Sequence, residues 1–222
     1  LILGIKVVSY ASPRWRLLFL PPVPSPMTVP SDARTLLRAQ MRQRRLALPA
    51  RERMAAAEAL AARLRALPEL ADTGYVAGYW AVQGEISLHA LLSPAPGFVY
   101  CLPCLTDARS LRFAPWRFGD ALVQNRYGIP EPDLMPESQL APQDMHAVLV
   151  PLTAFDAHGT RLGAGGGYYD RSFAFLREQP RPARPLLIGV GYDFQEAASL
   201  TEAPWDVPMD LIVTDARVIG AG

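Results

Sequence analysis

The spacing of apolar residues along this chain predicts two long helices near its start. Leu37, Met41 and Leu48, with Arg44 between them, follow a helical spacing and predict a first helix over residues 31–48, which Pro49 ends. An alanine-rich periodic stretch predicts a second helix over 51–67. Shorter helices are expected at 88–92 and at 168–177.

Compact apolar runs predict the strands between these helices. They lie at 75–79, 98–102, 111–116, 147–151, 186–192 and 211–214. A long proline-marked loop is expected at 119–145. Because strands that alternate with helices form parallel sheets covered on both faces, the pattern favours an α/β fold with a mostly parallel sheet.

Composition is that of one globular domain and gives no sign of a nucleic-acid partner. Half of the 222 residues are apolar and the net charge is only +1, so one buried core suffices. Nine arginines lie within 34–65 against Glu52 and Glu58. Most are expected to be solvated helix faces, with one or two facing an anionic substrate. Interleaved aromatic residues are absent there, which argues against nucleic-acid binding.

Residues 1–26 differ from the rest and end in a proline-rich run. Arg14 and Arg16 precede only four apolar residues, too few for a signal peptide, and no stretch reaches membrane-spanning length. We therefore expect no membrane partner. We also expect Met27 to be the natural start, with 1–26 a disordered upstream or non-native extension and 27–222 the functional domain.

Cys101 and Cys104 form a C-x-x-C within an apolar run. Neither a second cysteine pair nor a histidine at zinc-ligand spacing accompanies them, and a thioredoxin-like motif would begin a helix. We favour two small core thiols over a redox or metal site. Reduced cysteines also fit a cytoplasmic protein.

The glycine-rich stretch 159–171 carries the most functional information. Four glycines, at 163 and 165–167, leave backbone N–H groups free to converge, Arg161 precedes them, and a predicted helix begins at Tyr168. This arrangement favours a phosphate site, and the alternative is a flexible turn. Neither the Walker loop nor G-x-G-x-x-G fits, because tyrosines follow the last glycine.

This stretch resembles the signature of the 5-formyltetrahydrofolate cyclo-ligase family. The resemblance extends in order over roughly 32–215. It includes the strand and turn at 148–156, the C-terminal motif at 206–214, Arg34 and Arg38 in the first helix, Glu85, and the segment 129–132. It implies a three-layer α/β/α single domain with a mostly parallel sheet.

The resemblance also implies a reaction. Family members use ATP with Mg²⁺ to close 5-formyltetrahydrofolate, free or polyglutamylated, to 5,10-methenyltetrahydrofolate. The formyl oxygen takes the γ-phosphoryl group, the ten-position nitrogen attacks the activated carbon, and phosphate leaves with ADP as co-product. The protein's task is then to position substrates and neutralise phosphate charge. A monomeric enzyme is expected.

Site residues follow from the matched positions. The ATP set is Arg34, Arg38, Arg161, Leu162, Gly163, Ala164, Gly165, Gly166, Gly167, Tyr168 and Tyr169. The resemblance assigns catalysis to Arg161, Tyr168 and Asp170, metal binding to Asp170 and Asp206, and folate binding to Trp80, Glu85, Tyr127 and Tyr168.

Several of these assignments also have a structural alternative. Asp170 would also suit a helix N-terminus, and Asp206 would suit a turn before Pro208. Trp80 and Tyr127 would also suit a core. The nine arginines within 34–65 are more than one anion-binding site requires, so Arg34 and Arg38 could also be solvated helix residues.

Two positions depart from the family pattern. Arg34 stands where lysine is usual, and since the only lysine is Lys6, we interpret this as compositional drift that keeps the charge. Ala164 stands where some relatives carry a larger or basic residue, so only its backbone amide remains. Two other functions stay open: a non-catalytic nucleotide or folate binder, and a different ATP-dependent ligase on the same scaffold.

Overall fold

The computed structural model describes residues 31–71 and 74–220. The expectations for residues 1–26 and for a start at Met27 lie outside these residues. Among the described residues no helix combines the length and apolar character needed to span a bilayer.

Three α-helices and eleven strands form the framework of the described residues. The helices are α1 (Ser31–Ala47), α2 (Ala50–Arg65) and α3 (Tyr168–Ser172). The strands are β1 (Tyr75–Ala77), β2 (Val99–Leu105), β3 (Leu111–Pro115), β4 (Leu122–Gln124), β5 (Pro130–Pro132), β6 (Ala147–Pro151), β7 (Ala154–Phe155), β8 (Arg161–Leu162), β9 (Leu186–Gly191), β10 (Leu211–Thr214) and β11 (Val218–Gly220).

Seven strands make one central sheet in the order β11-β10-β9-β6-β1-β2-β3. The inner pairs β10–β9, β9–β6, β6–β1 and β1–β2 are parallel, and the two edge pairs are antiparallel. The mostly parallel sheet predicted from the sequence is therefore confirmed. Because parallel strands end at the same edge, the segments that follow β1, β6 and β9 converge there.

Both faces of the sheet are covered, which gives three layers. Leu149 of β6 packs in a cluster with Leu60 and Leu64 of α2, both fully buried. Its neighbours Val148 and Val150 point the other way, into a cluster with Phe173. Alternate residues of one strand thus enter opposite cores, as the period of two requires. Each buried leucine contributes roughly 1.5–3 kcal/mol.

All six predicted strands are present; those at 147–151 and 211–214 have the predicted bounds, and the other four differ by one to three residues at one or both ends. Five short strands were not predicted, and the proposed loop 119–145 in fact contains the β4–β5 hairpin and two 3-10 turns. These strands are two or three residues long, and β5 has proline at both ends. Such segments are too short to show an alternating pattern.

Two helix predictions need correction. The predicted helix 168–177 ends at Ser172, followed by a 3-10 turn at Ala174–Leu176. Ser172 Oγ donates to the Tyr168 carbonyl oxygen (2.7 Å), a local bond that competes with helix continuation. The predicted helix 88–92 is a 3-10 turn at His89–Leu92.

The face that α1 buries also differs from the prediction. Met41 is buried against Ala154 and Leu162 of the β7–β8 hairpin, as the spacing indicated. Arg44, however, is exposed, and Arg45 is the arginine that turns inward, with 3% of its surface exposed. Apolar spacing cannot distinguish two adjacent arginines.

Cys101 and Cys104 are free and buried on β2. Burial raises the pKa of each thiol to about 12, which leaves both protonated and unreactive at neutral pH. The interpretation of the C-x-x-C as two core thiols is confirmed.

Candidate active site

The glycine loop, residues 163–167, joins β8 to α3 close to the edge where β6 ends. The hairpin β7–β8 turns the chain back after β6 and places Arg161 directly before the loop. Gly165 and Gly167 have φ of +103° and +65°, values that residues with a side chain rarely adopt. The loop therefore needs glycine at these positions and leaves its backbone exposed to a ligand.

The short length of α3 changes the predicted source of anion binding. With five residues it has too few aligned peptides for a strong dipole. The positive character of the site comes instead from the loop amides and the surrounding guanidinium groups.

Arg38 and Arg34 reach the site from α1. Arg38 Nε donates to the Gly163 carbonyl oxygen (2.9 Å), so α1 is fastened to the start of the loop. Burial, and then the charge of Arg34, lower the pKa of Arg38, whereas the charge of Asp206 raises it. Arg34 Nη2 lies 3.1 Å from Asp206 Oδ2. Both predicted ATP-binding arginines of α1 thus lie beside the glycine loop and the C-terminal segment.

Arg161 and Asp170 form an ion pair across the loop. The Arg161 Nη2 group donates to Asp170 Oδ1, and the side chains are only 5% and 15% exposed. The Val207 backbone N–H also donates to Asp170 Oδ1 (3.3 Å). In this structure the Arg161 guanidinium therefore faces the carboxylate, and it holds Asp170 next to the segment that carries Asp206.

The two predicted metal ligands provide a donor set that fits Mg²⁺. Hydrogen bonds from described residues engage Asp170 Oδ1 and Asp206 Oδ2, and none engages the other oxygen of either side chain. Within 31–71 and 74–220 no cluster of three His, Cys, Asp or Glu side chains suits a metal. Mg²⁺ on ATP needs only one or two carboxylates, because phosphates and water complete its coordination.

A pocket of about 380 Å³ opens beside the loop. It is lined by Gly165, Gly166, Gly167, Asp170, Arg171, Ala174, Arg177 and Trp205. Trp205 is 62% exposed, unusual for a side chain of this size. The sequence analysis did not select Arg171, Arg177 or Trp205, although Trp205 directly precedes Asp206 in the C-terminal motif and so carried a usable signal.

The two tyrosines of the loop face different partners. Tyr168 Oη lies 2.8 Å from Tyr127 Oη and accepts a hydrogen bond from Arg126 Nη2 (2.7 Å). Although desolvation opposes ionisation, the hydrogen bonds from Tyr127 and Arg126 lower the pKa of Tyr168. Tyr169 instead stacks on Phe173, and burial raises its pKa. The predicted pair Tyr127 and Tyr168 is thus brought together by the turn between β4 and β5.

Glu85 lies in the turn that follows β1. Its Oε2 accepts a hydrogen bond from the Val82 backbone N–H (3.0 Å), and its charge contributes to the raised pKa of Tyr169. Trp80 packs edge to face against Trp116 (5.8 Å between ring centroids) and His89 (5.2 Å). Glu85 thus lies within electrostatic reach of Tyr169 in α3, whereas the described ring contacts of Trp80 belong to a separate aromatic cluster.

Fold and site together define an α/β protein in which two carboxylates and several guanidinium groups surround a glycine loop, an arrangement suited to a phosphate-bearing ligand. The chain belongs to the 5-formyltetrahydrofolate cyclo-ligase family, whose sequence model matches residues 30–215.

Individual relatives agree with this assignment. The 5-formyltetrahydrofolate cyclo-ligase of Escherichia coli K12 is 32% identical over 186 residues, which span 80% of this chain and 98% of the relative. The structure of Aquifex aeolicus 5,10-methenyltetrahydrofolate synthetase superposes with a TM-score of 0.72 at 30% identity, covering 85% of this chain and 92% of its own. The synthetase structure from Mycoplasma pneumoniae gives 0.60 at 26% identity, with coverage of 82% and 98%.

Proposed function

We propose that this protein uses ATP to convert 5-formyltetrahydrofolate into 5,10-methenyltetrahydrofolate, with release of ADP and phosphate. The observation that carries the proposal is the hydrogen bond between Arg38 and the carbonyl oxygen of Gly163. It brings the arginines of α1 to the glycine loop, where phosphate would lie, in a chain of the cyclo-ligase family.

The loop amides, Arg34 and Arg38 are proposed to hold the triphosphate, with Leu162, Ala164 and Tyr169 contributing backbone alone. Leu162 and Tyr169 turn their side chains into core clusters, and Ala164 is exposed with only a methyl group. Mg²⁺ held by Asp170 and Asp206 would offset phosphate charge. Arg161 acts by orienting the Asp170 carboxylate through their ion pair.

Trp205 is proposed as the platform for the adenine ring. It is exposed, lines the pocket formed by Gly165–Gly167, and sits beside the Asp206 carboxylate. Stacking of a base on an aromatic ring is worth about 1–3 kcal/mol and tolerates different bases.

The folate is proposed to lie between Tyr168 and Glu85. The Glu85 carboxylate would accept hydrogen bonds from the pterin ring, and Tyr127 would pack against the flat substrate. Tyr168 would direct its hydroxyl at the formyl oxygen and place it near the γ-phosphoryl group. Trp80 is proposed to support this side of the cleft through Trp116 rather than to touch the substrate.

The proposed reaction has two steps. The formyl oxygen attacks the γ-phosphorus and the bond to ADP breaks. The ten-position nitrogen then attacks the formyl carbon and releases its proton to solvent, and the carbon–oxygen bond breaks as phosphate leaves. Positioning dominates, because phosphorylation converts a poor leaving group into a good one. We further propose a cytoplasmic monomer without nucleic-acid or membrane partners, consistent with its two free thiols.

An isotope experiment tests this reaction. With ¹⁸O in the formyl group, mass spectrometry of the released phosphate should find one labelled oxygen for each methenyl product. Label found only in water would exclude the phosphorylated formyl group. ADP release without product would favour a different ATP-dependent ligase, and tight binding without turnover would indicate a non-catalytic binder.

A further inference from the structure

Arg45 of α1 is a buried cation to which the sequence analysis assigned no role. Its surface is 3% exposed, and its Nε has no hydrogen-bond partner among the described residues. A buried charge is costly unless nearby groups compensate it. The contacts of the Arg45 guanidinium therefore indicate which neighbouring groups compensate its buried charge.

These contacts join three segments that end at the site. Arg45 Nη1 donates to the Leu152 carbonyl oxygen (3.2 Å), just after β6, and lies 4.0 Å from Glu85 Oε1. Gly84 has φ of +76°, and a Cβ there would approach the Arg45 carbonyl carbon to 3.1 Å. The turn carrying Glu85 thus packs directly on α1, and Arg45 ties both to the chain that leads into the glycine loop.

The groups that face Glu85 differ in charge. Arg45 approaches from α1, the Tyr79 hydroxyl from the segment after β1, and the Tyr169 hydroxyl from α3. Of these three, only Arg45 is positively charged. Tyr79 directs its own proton to the Ile86 carbonyl oxygen (2.7 Å). Arg45 itself also faces Tyr79, Tyr192 and Arg42.

We propose that Arg45 is a positioning residue that keeps the Glu85 carboxylate ionised and aimed at the pterin ring of the substrate. The proposal rests on the folate site given under Proposed function. Burial raises the pKa of Glu85, while the Val82 N–H and the charge of Arg45 lower it. Without the cation, Glu85 would take up a proton at higher pH and could no longer accept two hydrogen bonds from pterin.

The test compares Arg45→Gln with Arg45→Lys in the full chain. Gln keeps a donor for the Leu152 carbonyl but loses the charge, and Lys keeps the charge. Arg44→Gln is the matched control, because exposed Arg44 lies over the Phe194 ring at 4.4 Å and does not contact Glu85. Arg45→Gln should raise the KM for 5-formyltetrahydrofolate about tenfold at neutral pH, with little change in the KM for ATP.

The pH profile adds a readout that a purely structural role would not move. The KM for folate should rise as pH falls, and in Arg45→Gln that rise should occur at higher pH than in wild type. Arg45→Lys should restore most of the affinity. The proposal would be overturned if Arg45→Gln raised the KM values for folate and ATP equally and also lowered the Tm. It would also be overturned if the pH dependence of the KM for folate did not change.

A second measurement separates this inference from the proposed function. Carbon-13 NMR of labelled glutamate carboxyls, assigned with Glu85→Gln, gives the pKa of Glu85 without turnover. It should increase in Arg45→Gln, because the charge of Arg45 lowers it in the wild-type protein. If wild-type protein lacks cyclisation activity, the proposed function fails while the NMR result still judges the role of Arg45. An unchanged Glu85 pKa would refute that role.

Discussion

Arg161 and Asp170 are nine residues apart in the chain and face each other across the base of the glycine loop. The ion pair joins the two ends of the loop, because the residues between Arg161 and Asp170 include all four glycines of 163–167. It also sets the direction of the Asp170 carboxylate, whose Oδ1 is shared with the Val207 N–H. Loop shape and carboxylate position therefore depend on one buried contact.

Asp170→Asn should destabilise the protein as well as remove activity. It leaves the Arg161 guanidinium buried without its counter-charge, a change that costs roughly 3 kcal/mol. Urea unfolding of Asp170→Asn, Arg161→Met and the double variant measures this as a coupling energy. If the two single losses simply add, the ion pair does not hold the loop.

Arg34→Lys should change the KM for ATP by less than about twofold. Arg34 makes single contacts, to Asp206 Oδ2 and to the Thr201 carbonyl oxygen (3.4 Å), and an ammonium group can replace the charge. Arg34→Gln, which removes the charge, should raise the KM about tenfold. Steady-state kinetics of the two variants measure these changes in the KM for ATP. A large decrease of this KM in Arg34→Lys would show that arginine impairs the site.

Tyr168→Phe should lower kcat/KM for folate about tenfold to a hundredfold, because the hydroxyl with its Tyr127 and Arg126 partners is lost. Tyr169→Phe is the control, since that ring stacks in the core on Phe173. Ultraviolet titration supplies a second check. The lowered pKa means that Tyr168 ionises at lower pH than an ordinary tyrosine, so this early phase should vanish in Tyr168→Phe and persist in Tyr169→Phe.

Trp205→Ala should raise the KM for ATP about tenfold, the cost of one lost stacking contact. Inhibition by inorganic tripolyphosphate should be unchanged, because that anion has no base and uses only the loop and arginines. Trp205→Phe should retain most of the affinity. Weakened tripolyphosphate binding in Trp205→Ala would mean that the residue supports the loop and is not a base platform.

The central sheet was predictable because each of its inner strands is a short, continuous run of apolar residues in the sequence. The apolar run 147–151 is buried on both faces, which is the pattern of an inner parallel strand. The β4–β5 hairpin was missed since its strands have three residues each, yet its turn is what carries Tyr127 to Tyr168. That contact links residues 41 apart and depends on tertiary packing.

The site was predictable where its functional residues lie close together in the sequence. The glycines, Arg161 and Asp170 are adjacent in the chain, so their spacing alone indicated an anion site. Arg45 was not found, because its neighbour Arg44 occupies the expected helical position and the burial of Arg45 depends on tertiary contacts with Leu152 and Glu85.

Product and ADP should be measured together in one reaction. Protein mixed with 5-formyltetrahydrofolate, ATP and Mg²⁺ should form methenyltetrahydrofolate, followed by absorbance, with one ADP for each product. Asp170→Asn should abolish both, whereas Asp133→Asn, at an exposed carboxylate, should not. Product formed without ATP, or full activity in Asp170→Asn, would contradict the account.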